Sequence, residues 1–212
     1  MPVSRVTLLG DSILDNGPYT RPEPDTTAHL ARLLSPQWSV ERLAQDGATM
    51  SGLPAQLGAL EGRPEYAVLS IGGNDAIEHI GVLDRRASHA AEVLAELLAI
   101  TDEFDGRYQA AARAVAERSE RTVLCTIYEA PLEPAAAARL ARVPLALLND
   151  RIVQTGARLG LDVLELRSVC TEAADFVLQI EPSPRGAAKI ARAIAAVIQG
   201  GSPLRSGRVF AA

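Results

Sequence analysis

The sequence predicts a doubly wound α/β protein, and three observations carry that reading. Short apolar runs alternate with longer segments of helical period. Two of the runs are almost unbroken in apolar character, as strands buried on both faces require. Three Gly-containing turn motifs fall at or just after the ends of successive runs.

Taken in order, Val6-Thr7-Leu8-Leu9 is the first predicted strand and Trp38 to Leu43 a weaker second. Tyr66 to Ile71 and Thr122 to Ile127 are the third and fourth, and Leu161 to Leu166 the fifth. A helix over Thr26 to Leu34 sets Leu30, Leu33 and Leu34 on one face. A second over Arg85 to Leu98 repeats Ala90, Val93, Leu94 and Leu97 at helical spacing. Helices over Tyr108 to Arg118 and Leu140 to Leu159 lead into strands four and five. The last begins at Ser183-Pro184, a capping hydroxyl followed by proline at the first helical position, with Ile190, Ile194, Val197 and Ile198 inward.

A chain of 212 residues, with no internal repeat or linker, suits one domain over residues 1–200 and a tail over residues 201–212. Hydrophobic residues make up 48%, ample for a core, and a formal charge of -5 leaves no basic footprint for nucleic acid or an anionic membrane. No run approaches the ~20 apolar residues that cross a bilayer, and no secretory leader is visible. Cys125 and Cys170 each sit inside an apolar run and read as buried free thiols. Together these features predict a cytoplasmic protein without a membrane or nucleic-acid partner.

The chemistry concentrates at three turns. Gly10-Asp11-Ser12 closes strand one, Asp46-Gly47 follows strand two, and Gly72-Gly73-Asn74-Asp75 closes strand three. In a parallel sheet these turns share one edge, where open α/β sheets bind ligands. Ser12 on a tight turn suits a nucleophile. Its amide, the Gly47 amide and the Asn74 side chain suit a developing oxyanion. Glycine at 47 and 73 permits φ values and close approach that other residues would resist. Alone, each motif is most often no more than a turn; their order and placement make the combination specific. The loop from Asp15 to Asp25 and the segment Glu129 to Pro144 are expected to shape the pocket.

On these residues the chain resembles the SGNH (GDSL-type) hydrolases. Gly10-Asp11-Ser12-Ile13-Leu14-Asp15-Asn16 is similar to their first block, with Ser12 matching the nucleophile. Gly47 matches the second block, and Gly72-Gly73-Asn74-Asp75 the third, with Asn74 at the oxyanion asparagine. Pro182-Ser183-Pro184-Arg185-Gly186 resembles the segment after the family's catalytic histidine. The resemblance implies a flavodoxin-like three-layer sandwich, a five-stranded parallel sheet with helices on both faces. It also implies hydrolysis of esters or related acyl bonds through an acyl-enzyme, without a cofactor.

One position departs from the pattern. Where the family has Asp-x-x-His, this chain has Leu178 and Glu181. Asp175 lies one turn earlier, with no histidine to orient. His29 and His89 read as solvated residues on polar helix faces, and His79 lies five residues past Asn74, where it could border the crevice. Glu181 is a candidate base that needs no third residue to fix a tautomer, and burial beside Leu178 and Ile180 would raise its pKa. Equally, it could merely sit near the N-terminus of the last helix, where negative charge is favoured. The expected function is a serine-dependent esterase acting on a small acyl or ester substrate, with Ser12, Gly47, Asn74 and Glu181 in its site. The alternative is a weak or inactive protein of the same fold that binds a small acylated ligand. A flavin or nucleotide module is disfavoured, because no Gly-x-Gly-x-x-Gly or P-loop follows strand one.

Overall fold

The computed structural model describes residues 4–200, and the expected tail over 201–212 lies outside them. Five parallel strands build the main sheet: β1 (Ser4–Gly10), β2 (Trp38–Arg42), β3 (Tyr66–Ser70), β4 (Arg121–Cys125) and β5 (Asp162–Leu164). Their order is β2-β1-β3-β4-β5, so the chain reverses direction of travel between β1 and β3, the switch point of a flavodoxin-like sheet.

Alternation along the strands assigns the two faces. Val6 and Leu8, Tyr66 and Val68, and Val123 and Cys125 face one core. Leu9, Ala67, Leu69 and Leu124 face the other. Both faces are dry, which explains why β3 and β4 read as continuous apolar runs. Helices α2 (Thr26–Leu34) and α7 (Pro184–Ile198) cover the first face through Leu30, Leu34, Ile190, Ile194 and Ile198. Helices α3 (Leu53–Ala59), α5 (Ala90–Glu117) and α6 (Ala135–Leu159) cover the second. A single turn α1 (Gly17–Thr20), the short α4 (Gly73–Glu78) and a small antiparallel pair, β6 (Phe176–Val177) with β7 (Glu181–Pro182), complete the carboxyl edge.

Several expected elements need correction. The helices expected over Arg85 to Leu98 and Tyr108 to Arg118 are one helix, α5, of 28 residues. Leu97, Thr101, Phe104, Tyr108, Ala111, Ala112 and Val115 are buried along it, so the inward stripe never breaks. That stripe outweighs the cost of about 1 kcal/mol for Gly106 in a helix. Leu94, expected inward, is exposed, as is Leu33 on α2. Helix α6 starts at Ala135 rather than Leu140, so part of the expected pocket loop is helical, and it carries Pro144 in its interior. Helix α3 was not foreseen; it is only two turns long. The last helix begins as expected, with Ser183 Oγ accepting from the Gly186 amide at 3.2 Å. Both cysteines are buried free thiols. No helix among the described residues is long and apolar enough to cross a membrane.

Candidate active site

Ser12 owes its position to a tight exit from β1. Gly10 has φ +127°, and a Cβ there would run into the Ser70 carbonyl of the neighbouring strand. Gln56 of α3, itself buried, clamps both polar atoms of Gly10 at 2.8 Å. The Asp11 amide then donates to Ser70 O at 3.0 Å, and the Asp11 carbonyl accepts from Leu14 and Asp15. Asp11 Oδ1 receives the Ile13 amide at 3.1 Å. Ser12 is thus held on a turn at the carboxyl end of β1, buried but lining a cavity. Gln56 went unremarked in the sequence, although a glutamine between the inward residues Leu53 and Leu57 was a signal.

The second and third motifs are tied together. Gly72, with φ +110°, turns the chain out of β3 and caps α4; the positive φ falls at Gly72, not at Gly73 as expected. Asn74 sits in the first turn of α4, and its Nδ2 donates to Ala48 O at 2.9 Å. Asp75, almost wholly buried, accepts the Met50 amide at 3.0 Å and pairs with Arg107 of α5 at 2.8 Å. Gly47, with φ +75°, is exposed at the rim between these contacts and Asp46, whose amide donates to Asp15 at 3.0 Å. Gly47 does not itself line the cavity. Among the described residues, neither the Ser12 nor the Gly47 amide is engaged in a backbone hydrogen bond.

Glu181 reaches the same crevice from β7. Its side chain lines the same cavity as Ser12, and its Oε2 is buried with no hydrogen-bond partner among the described residues. Burial raises its pKa above the usual carboxylate range, the Ser12 hydroxyl opposes that, and Asp46 adds to it. Ile180 forms part of the apolar surroundings. Leu178 does not: it is 76% exposed, in the left-handed region at φ 48°, on the turn between β6 and β7. The β6–β7 pairing aims residue 181 inward and leaves residue 178 in solvent.

A second carboxyl flanks Ser12. Asp11 is buried, and that burial pushes its pKa up to about 7 against its bond from the Ile13 amide, with Glu181 and Asp75 raising it further. Asp175 serves elsewhere. It is fully buried, bonded to Lys189 at 2.7 Å and to the amides of Thr171 and Glu172. Burial alone would raise its pKa, but Lys189 and those amides hold it below the usual value. Asp175 therefore braces the loop before β6 against α7. Of the histidines, His79 lines the cavity, whereas His29 on α2 and His89 at the start of α5 do not.

The cavity itself has a volume of about 140 Å³. Ser12, Asn74 and Glu181 all line it, and α5, α6 and the segment after α4 supply apolar residues to its walls. Asn149 of α6, wholly buried, pins the end of β4 by exchanging two 2.8 Å bonds with the Ile127 backbone.

Ser12 and Glu181 thus line one cavity at the carboxyl edge of a flavodoxin-like sheet. The chain belongs to the GDSL-like lipase/acylhydrolase family, whose model matches residues 8–189, and is thus an esterase/lipase-type hydrolase. No curated protein matches it. Among solved structures it is similar in fold to a lipase from Streptomyces rimosus, at 14% identity and TM-score 0.70, covering 94% of this chain and 100% of that one. It is similar also to a phospholipase A1 from Streptomyces albidoflavus, at 18% identity and TM-score 0.68, covering 95% and 100%. An acetylxylan esterase from Geobacillus stearothermophilus aligns at 18% identity and TM-score 0.65, covering 96% and 97%.

Proposed function

We propose that the chain hydrolyses carboxylic esters through an acyl-enzyme on Ser12, with Glu181 in the place of the usual imidazole. The observation that carries this reading is a buried carboxylate, with one oxygen unpartnered among the described residues, in the cavity that Ser12 also lines. Glu181 takes the Ser12 proton as Oγ attacks the ester carbon. The carbonyl oxygen gains the electron pair and lies among the Ser12 amide, the Gly47 amide and the second Asn74 Nδ2 hydrogen, since the first is held by Ala48. Collapse expels the alkoxide, which receives the proton from Glu181. Water then attacks the acyl-enzyme, gives its proton to Glu181, and Ser12 leaves with it.

An ordinary glutamate lies about two pKa units below histidine, a handicap of about 3 kcal/mol in proton abstraction. Burial of Glu181 recovers part of that. Labelling by a fluorophosphonate probe tests the reading, because it reports an activated serine without the natural substrate. Wild type is expected to label at Ser12, and Ser12→Ala not at all. The weak basicity of a carboxylate favours one second reading, a protein that binds an acylated ligand with little turnover. Absent labelling of folded wild type supports that reading instead.

A further inference from the structure

Resting on the hydrolase reading, we propose that the cavity beside Ser12 is an acyl-chain pocket that selects esters of apolar acyl groups of about six carbons over acetyl esters. The two sides of Ser12 differ in chemistry. On one side lies a polar rim, where Tyr19 donates to Asp46 at 2.7 Å and the Asp46 amide to Asp15. On the other lies the cavity, whose polar groups other than the catalytic end are at its rim. There Arg142 and Glu129 pair with each other at 2.8 Å, and His79, half-buried, also lines the cavity.

The walls argue for an apolar occupant. On α6, Ala138, Ala141, Leu145 and Leu148 fall at i, i+3, i+7 and i+10, one stripe along the helix, and all line the cavity. Only Leu148 at its inner end is fully in the core; the outer end is opened by the two alanines. Ile77 and Ile80 face them from the segment around the end of α4 and remain 43% and 44% exposed. A polar acyl group buried there would leave its hydrogen bonds unmade. A cavity of about 140 Å³ is close in size to the apolar cavity, roughly 150 Å³, that holds benzene in the best-known engineered case. An acetyl group would leave most of it unfilled. The alcohol portion then points to the polar rim, where leaving alkoxide and incoming water exchange with solvent.

The test is a set of ester series on the full chain. kcat/KM for p-nitrophenyl hexanoate is expected to exceed that for the acetate at least tenfold, and to fall again at the decanoate. Ethyl hexanoate is expected to outrun hexyl acetate, which has the same carbons on the alcohol side. Acetate equal to or better than hexanoate, or preference for hexyl acetate, overturns the proposal. Ala141→Trp is expected to lower the hexanoate-to-acetate ratio at least tenfold; an unchanged ratio in a folded variant counts against it. If no ester is turned over and Ser12 does not label, the hydrolase reading has failed, and binding still decides the pocket. Ethyl hexanoate is then expected to shift the methyl resonances of Ile77 and Ile80 with a Kd at least tenfold below that of ethyl acetate. No such shifts would overturn it.

Discussion

Asn74 Nδ2 donates to the Ala48 carbonyl at 2.9 Å, so the turn after β2 and the first turn of α4 move as one unit. Asp75, the next residue, fastens the same two segments through the Met50 amide and anchors them to Arg107. The two candidate oxyanion donors from these turns, Gly47 and Asn74, are therefore set before any substrate arrives.

Asn74→Ala is expected to lower esterase turnover about 10²–10³-fold, the usual effect of losing one oxyanion donor. Asp75→Asn is expected to lower turnover as well while leaving Asn74 itself in place. Steady-state kinetics on folded variants check both, and wild-type rates for Asn74→Ala would reduce it to a turn residue.

Glu181 must be ionised to accept the Ser12 proton, and burial raises its pKa. Activity is expected to climb with pH through one ionisation lying above the ordinary glutamate range. Glu181→Gln keeps the size but takes no proton, and is expected to reduce turnover to near background with the fold intact. A pH–rate profile with an unshifted acid limb, or full activity in Glu181→Gln, assigns the base elsewhere, with His79 the next residue to vary.

Asp11 gives the fold a pH dependence of its own. The unfolded chain loses this proton near 3.8 and the folded chain near 7. Between those values the folded state holds a proton that the unfolded state has released, so stability falls as pH rises through that window and levels above it. A shift of that size corresponds to about 4 kcal/mol in all. Asp11→Asn is expected to flatten this slope and to be more stable than wild type, relative to pH 4, when both are unfolded by urea at pH 7.5.

Gly10→Ala is expected to be strongly destabilising, by about 4 kcal/mol or more, because the added methyl meets backbone rather than a movable side chain. Thermal unfolding followed by circular dichroism reads this directly. Gly47→Ala meets nothing within 4 Å, so only its positive φ resists the change, and a cost of about 1 kcal/mol is expected.

The sheet was legible in the chain because burial on both faces leaves a local trace. Val68 and Leu69 on β3, or Val123 and Leu124 on β4, must all be apolar when helices cover both sides. The turn motifs around Ser12, Gly47 and Asn74 were legible for a similar reason, since tight exits from parallel strands demand glycine and small polar residues in place. Other features depended on long-range packing. That α5 runs unbroken through Gly106 depends on Phe104, Tyr108 and Val115 packing against Leu57 of α3, Leu69 of β3 and Ile152 of α6 in the second core, partners that no local pattern announces. Glu181 and Leu178 lie three residues apart and were read as neighbours around one site. Only the pairing of Val177 with Glu181 decided that the glutamate joins the cavity that Ser12 lines while the leucine turns to water. Composition and spacing determine which residues are able to act. Which of them meet across elements distant in sequence is decided by the tertiary structure, because burial and pKa come from neighbours that the linear order does not contain.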